Sequence, residues 1–134
     1  MIRWRMPADR VLGVVDDLMF SSRIGAAVQA LGARWQKVGS LGDARAAAGE
    51  ARAEGSRLAL VILDLGWRSG DALALARELR ADADLAATPL VAFGSHVQAD
   101  RLESARAAGC ALALPNSALA AGLPELLQRF LGNR

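Results

Sequence analysis

The sequence has one cysteine, Cys110, and one histidine, His96. A single thiol excludes an internal disulfide, and Cys110 reads as a small buried hydrophobe. One imidazole and one thiol separated by a helix also exclude a mixed His–Cys metal centre. No window holds 18 continuous apolar residues, so no membrane-spanning helix is expected. Met1 to Asp9 lacks the apolar core of a signal peptide, which points to the cytoplasm. Net charge is scarce too. Sixteen basic residues face 14 acidic ones, a balance of +2 with no electrostatic footprint for nucleic acid. Lysine is nearly absent: Lys37 is alone among the basic residues, and the rest are arginine. With abundant Ala and Gly, this usage points to a GC-rich bacterial genome.

What is present is apolar and evenly spread. Hydrophobic residues make up 53% of 134 positions, without repeat, low-complexity tract or linker. That length suits one domain, able to bury roughly two-thirds of its unfolded surface. The expected division is a tail over 1–9 and a domain over 10–134.

Short apolar runs alternate with helical patterns. Val11–Val15 is a β-branched strand ending in Asp16–Asp17. Ile24, Ala27, Val28 and Leu31 share a helix face, with Gly32 as the stop. Arg34–Val38 is a weaker strand. Ser40 and Asp43 are placed to cap an Ala-rich helix ending near Gly55. Leu58–Leu63 is apolar throughout, as in a strand buried on both faces, and ends in Asp64. A turn from Gly66 to Gly70 leads to a helix over Asp71–Arg80. Pro89 opens the strand Leu90–Phe93, Gln98–Ala108 is helical, and Ala111–Leu114 is a last strand. Pro124 is expected in the first turn of a closing helix, whose stripe is Leu123, Leu126, Leu127, Phe130 and Leu131. Five β-α units predict an α/β flavodoxin-like three-layer sandwich, with a five-stranded parallel sheet in order 2-1-3-4-5 and five helices. Ligands of such sheets sit at the carboxyl ends of the strands.

In that order the first and third strands are neighbours, so Asp16, Asp17 and Asp64 converge. Crowded carboxylates disfavour full ionisation. A hard cation such as Mg²⁺ relieves the repulsion, and a carboxylate beside it can attack phosphorus. Each Asp alone reads equally as a turn former or helix cap; the argument for a site lies in the set of three.

VLGVVDDLMFSSRI, LALVILDLG, TPLVAFGSH and ARAAGCALALPN, in this order, resemble the strands and acidic motifs of response-regulator receiver domains over about residues 10–131. The resemblance implies that Asp16 and Asp17 bind Mg²⁺ and that Asp64 accepts a phosphoryl group. It implies a metal-binding backbone carbonyl at Gly66. It further implies a signalling face formed by the fourth helix, fifth strand and fifth helix. Three departures stand out. The hydroxyl residue expected after the fourth strand is replaced by Gly94, with Ser95 one position later. The expected Lys after the fifth strand is Asn116, flanked by Pro115 and Ser117. The loop after Asp64 (DLGWRSG) lacks a Met-Pro pair. Asn116 can donate a hydrogen bond but carries no charge. Arg68 is a nearer substitute for the missing Lys than Lys37 on the second strand.

The expectation is an atypical stand-alone receiver, since the sequence stops at Arg134 just past the last helix. It would act as a protein-interaction module in signalling, independent of phosphorylation and not as an enzyme. The alternative is a Mg²⁺-dependent phosphoacceptor served by a sensor histidine kinase or a small phosphodonor, with Ser95 and Asn116 as replacements. A Mg²⁺-dependent hydrolase ranks last, for want of a general base and a positive clamp. Partners would be proteins, including a second copy, with neither nucleic acid nor membrane. Trp67 reads as an apolar cover beside the site or a partner anchor, and His96 as an exposed loop residue or a pH-sensitive group. Ser95–His96 lacks the geometry of a hydrolytic triad. Arg3, Trp4 and Arg5 form a basic-aromatic patch on the tail.

Overall fold

Five strands pair in parallel, β1 (Arg10–Val14), β2 (Arg34–Lys37), β3 (Leu58–Asp64), β4 (Leu90–Gly94) and β5 (Leu112–Pro115), in the order β2-β1-β3-β4-β5. The helices between and after them are α1 (Leu18–Ala30), α2 (Leu41–Glu54), α3 (Ala72–Ala81), α4 (Ala99–Ala107) and α5 (Asn116–Leu131), and a 3₁₀ turn, His96–Gln98, precedes α4. These elements belong to a computed structural model that describes residues 8–131. The Arg3-Trp4-Arg5 patch lies outside the described residues. No described helix is long and apolar enough to cross a membrane.

Alternate strand residues feed two separate cores, as the period of two requires. Leu12, Val14, Val61, Leu63, Leu90 and Ala92 pack with α2, α3 and α4 on one face. Val11, Leu60, Ile62, Val91 and Phe93 pack with α1 and α5 on the other. Each fully buried Val, Leu or Ile contributes about 1.5–3 kcal/mol, which is why the apolar runs are continuous rather than alternating. On α2 the inward residues are Ala44, Ala47, Ala48 and Ala51. Its cap is reciprocal: Ser40 Oγ accepts the Asp43 N–H at 3.0 Å, and Asp43 Oδ2 accepts the Gly39 N–H at 3.1 Å. Gly55 closes it at φ 77°.

Edge strand β2 is held by its Trp35. The indole lies between β1 and α1, where a Cβ on Gly13 would stand 2.0 Å from Trp35 Cη2 and one on Gly25 2.8 Å from Trp35 Cδ1. Two glycines therefore make the slot that the ring fills. At the opposite end of the sheet from the acidic residues, buried Arg10 donates to Glu50 and Glu54 at 2.9 Å each. Asp9, also buried, accepts from Arg57 Nε at 2.9 Å.

Two expectations need correction. Leu31 is not on the α1 face: it is the C-cap and 40% exposed, while Ile24 and Val28 are buried. The helix ends before Gly32, whose φ of 79° turns the chain away. Pro124 is not in a first turn either, because α5 begins eight residues earlier and Pro124 lies inside it. Leu119 is buried against the sheet and anchors the earlier turns. Pro124 is exposed on the outer face, where its ring meets solvent. The predicted stripe holds, with Leu123, Leu126, Leu127 and Leu131 buried and Phe130 partly so.

Candidate functional site

The register brings the strand ends together. Val14 pairs with Leu63, Asp64 with Phe93, and Gly94 with Pro115. Asp16 and Asp17 leave β1 just beyond Val14, beside Asp64 on the neighbouring strand. All three carboxylates stand at the carboxyl edge of the sheet, as expected for this topology.

Each is held differently. Asp17 is the N-cap of α1, its Oδ1 accepting the Phe20 N–H at 3.0 Å. Capping and a metal-facing role are therefore compatible, since one oxygen serves the helix and the other is left over. Asp16 is exposed, and its Oδ2 accepts from Ser69 Oγ at 2.7 Å and the Ser69 N–H at 3.2 Å. The Ser69 hydroxyl is the main reason its carboxyl sits below the ordinary range. Asp64 is half-buried, with Oδ1 accepting the Gly66 N–H at 2.8 Å. Its carboxyl is pushed above the ordinary range, first by burial and then by the negative charges of Asp17 and Asp16, against the pull of the Gly66 hydrogen bond. Mutual repulsion of this kind is what a divalent cation would relieve.

Among the described residues no three His, Cys, Asp or Glu side chains close around one point as a ready cation cage. The donor chemistry nevertheless fits Mg²⁺, which takes one or two carboxylates and completes its shell with water and phosphate oxygens. Asp17 and Asp64 offer free carboxylate oxygens, and Gly66 is the backbone carbonyl candidate. Asp16 gives Oδ2 to Ser69 and keeps Oδ1.

The predicted positions Gly94, Ser95, Asn116 and His96 make no hydrogen bond to these carboxylates among the described residues. Gly94 is buried, and a Cβ there would stand 3.1 Å from Leu65 Cβ and 3.3 Å from Leu65 Cδ1. The Leu65 side chain thus fills the space beside the bare strand end. Ser95 Oγ accepts the Val97 N–H at 3.3 Å, capping the 3₁₀ turn. Asn116 is exposed and its side chain makes no hydrogen bond among the described residues. Arg68 is exposed and forms no ion pair among them either. His96 is exposed on the turn before α4. Trp67 is half-buried against the α2–α3 core. It rests on Gly70, where a Cβ would come within 2.6 Å of the ring, and near Gly39. With Lys37, Asp43 and Asp16 it borders a cavity of ≈ 280 Å³. Cys110 is buried, and desolvation pushes its thiol up to about 11.

Two features escaped the sequence reading. Ser69 ties the loop after β3 to Asp16; a hydroxyl in a Gly-rich loop was the available signal. Arg101 of α4 donates from Nη2 to the Leu65 carbonyl at 2.8 Å, joining α4 to the residue next to Asp64. No motif marks such an arginine, because only the fold brings residues 36 positions apart into contact. Beside Asp17, Leu18 and Met19 stand 76% and 83% exposed at the start of α1.

The arrangement of strands and helices matches solved structures closely. The signal receiver domain of a DNA-binding response regulator (merR) from Colwellia psychrerythraea 34H superposes with a TM-score of 0.75 over 93% of this chain and 99% of that one. This chain has the receiver-domain fold. The chemotaxis response regulator CheY4 of Vibrio cholerae gives 0.71 over 93% and 100%, and the Mn²⁺-bound response regulator Rcp1 gives 0.69 over 94% and 96%. Identities are 15%, 18% and 18%, so the receiver likeness is one of fold. No family model matches the sequence, and no curated protein does. The receiver fold accounts for the position of Asp64 at the end of its central strand. Gly94 ends β4 and Asn116 follows β5 at the same edge.

Proposed function

We propose that the chain is an atypical receiver domain that works as a protein-interaction module in signalling, with output that does not depend on a phosphorylation-driven switch. The observation that carries this reading is the Leu65 side chain packed over Gly94. A hydroxyl at the end of β4 would link a phosphoryl group on Asp64 to the β4–α4 segment. That position has no side chain, and the volume beside it is filled. Asn116 adds no positive charge, and Ser95 is placed as the cap of its own turn, its Oγ accepting the Val97 N–H. Exposed Leu18 and Met19, next to the acidic edge, supply apolar surface of the kind that protein contacts use. The partner classes are a sensor histidine kinase, another signalling protein, or a second copy of the chain.

The second reading is a working phosphoacceptor, and the half-buried Asp64 with its Gly66 hydrogen bond supports it. Asp16, Asp17, Asp64 and the Gly66 carbonyl would hold Mg²⁺; Rcp1, of the same fold, has been solved in an Mn²⁺-bound form. When bound, the cation would neutralise the clustered carboxylates and the charge of an incoming phosphoryl group. Asp64 Oδ2, free of hydrogen bonds among the described residues, would form the new bond to phosphorus as the bond to the donor's leaving group breaks. Gly66 N–H would keep the carboxylate oriented through Oδ1. Hydrolysis as a function is disfavoured, since no side chain near Asp64 is placed as a general base with a positive clamp.

The deciding experiment is incubation with Mg²⁺ and a small acyl phosphate, followed by intact mass measurement, with Asp64→Asn as control. The primary reading expects no adduct above that control, and ordinary amide spectra of α4 throughout. A near-stoichiometric adduct on the wild type, accompanied by shifts in α4 and β5, would overturn it in favour of the phosphoacceptor.

A further inference from the structure

A second polar cleft lies on the other side of the loop that follows Asp64. It has a volume of ≈ 490 Å³ and is bordered by that loop, by α3 and by the start of α4. Arg77, Gln98 and Arg101 line it together with Asp71, while Asp64 does not. The hydrogen-bonding account of this cleft is one-sided. Asp71 spends Oδ1 on the Ala74 N–H as the cap of α3. Arg101 uses only Nη2, on the Leu65 carbonyl, so among the described residues its Nη1 and Nε have no acceptor. Neither Arg77 nor Arg101 forms an ion pair among the described residues, where six other ion pairs are made. The Gln98 side-chain amide is also unspent. Two guanidinium groups outweigh one carboxylate, and the unspent groups are almost all donors.

A planar guanidinium fixed at one nitrogen presents its remaining N–H groups in a set direction, which suits paired oxygens. We propose that this cleft is an oxyanion site, in which Arg77 and Arg101 hold the phosphoryl or carboxylate group of a small-molecule ligand. Because Arg101 is already bonded to the Leu65 carbonyl, a ligand there bears directly on the backbone beside Asp64. The site is thus an input to the acidic edge that needs no phosphoryl transfer. It stands whether or not Asp64 accepts a phosphoryl group.

The test is an amide NMR titration of the full chain, freed of divalent cations and in chelator-free buffer, at constant ionic strength, with inorganic phosphate in one arm and succinate in the other. Without divalent cations the acidic edge repels both anions, so binding there does not interfere. The expected result is saturable shifts of the Trp67 indole, Gly66 and Arg101 signals in at least one arm. Arg77→Gln and Arg101→Gln should each weaken that binding at least tenfold, and Arg52→Gln on α2 should leave it within twofold. The arm that saturates at lower concentration identifies the preferred oxyanion. Arg77 is exposed, so Arg77→Gln carries the test even where Arg101→Gln disturbs α4. Linear, unsaturated shifts in both arms, or equal affinity in wild type and Arg77→Gln, would overturn the proposal.

Discussion

Replacing Asn116 by lysine tests the chemistry of the acidic edge most directly. Asp64 pairs with Phe93 and Phe93 with Leu114, so Asn116 lies two strands across and two residues further along. Standard sheet spacings put about 10 Å across and about 7 Å along, or roughly 12 Å between the two Cα atoms. A lysine side chain spans about 6 Å and an asparagine amide about half of that. Lysine therefore brings its ammonium group to hydrogen-bonding range of an Asp64 carboxylate or phosphoryl oxygen, whereas Asn116 stops about 3 Å shorter. Position 116 is exposed, so the longer side chain displaces nothing. A hydrogen bond to a charged group is worth about 1.5–3 kcal/mol, which converts to roughly a ten- to hundredfold gain in rate when it acts on the transition state. The assay is the initial rate of Asp64 phosphorylation by an acyl phosphate with Mg²⁺, read by intact mass. Asn116→Lys should raise the rate at least tenfold above the Asp64→Asn background, while Asn116→Gln, longer but uncharged, should stay within threefold of it. A folded Asn116→Lys protein with less than a twofold gain would show that the missing charge is not what limits the site.

Restoring only the hydroxyl should fail. Gly94→Thr brings its Cβ to 3.1 Å from Leu65 Cβ, should cost about 1–3 kcal/mol of stability in urea unfolding, and should leave phosphorylation unimproved; improvement by this change would contradict the packing argument. Gly13→Ala should also cost about 1–3 kcal/mol, and Trp35→Leu in the same chain should recover part of it. Simple additivity of the two costs would mean that the indole does not fill the slot between Gly13 and Gly25. Asp82 is buried, and Arg45 Nε at 2.6 Å holds its carboxyl below the ordinary range. A depressed folded pKa gives stability that is present above the unfolded value near pH 4 and lost as pH falls through the folded one. Arg45→Gln should therefore move acid unfolding, followed by circular dichroism, to higher pH, and an unmoved midpoint would refute the pairing.

The sheet order was legible because four of the five strands are apolar runs closed by Gly, Pro or Asp, with only edge strand β2 (RWQK) polar, and because five β-α units leave few right-handed topologies. Ser40, Asp43 and Gly55 announced α2 through cap chemistry that is local in sequence. Pro124 misled because proline statistics favour a first turn, while Leu119 had already committed the preceding residues to helix. The acidic trio could be read from strand ends, and so could the bare Gly94. What the sequence did not carry was the long-range pairing: Ser69 on Asp16, Leu65 over Gly94 and Arg101 on the Leu65 carbonyl. Each joins residues distant in the chain, and each depends on how side chains share space once the sheet has formed.

The Leu65–Gly94 contact also constrains how this protein can change over generations. A chain regaining a hydroxyl after β4 by one substitution meets a filled space and loses stability before any switch is restored. A chain first shrinking Leu65 opens a void with no benefit to offset it. Either order passes through a handicapped intermediate. The contact therefore couples the two positions: what either residue can become depends on the other.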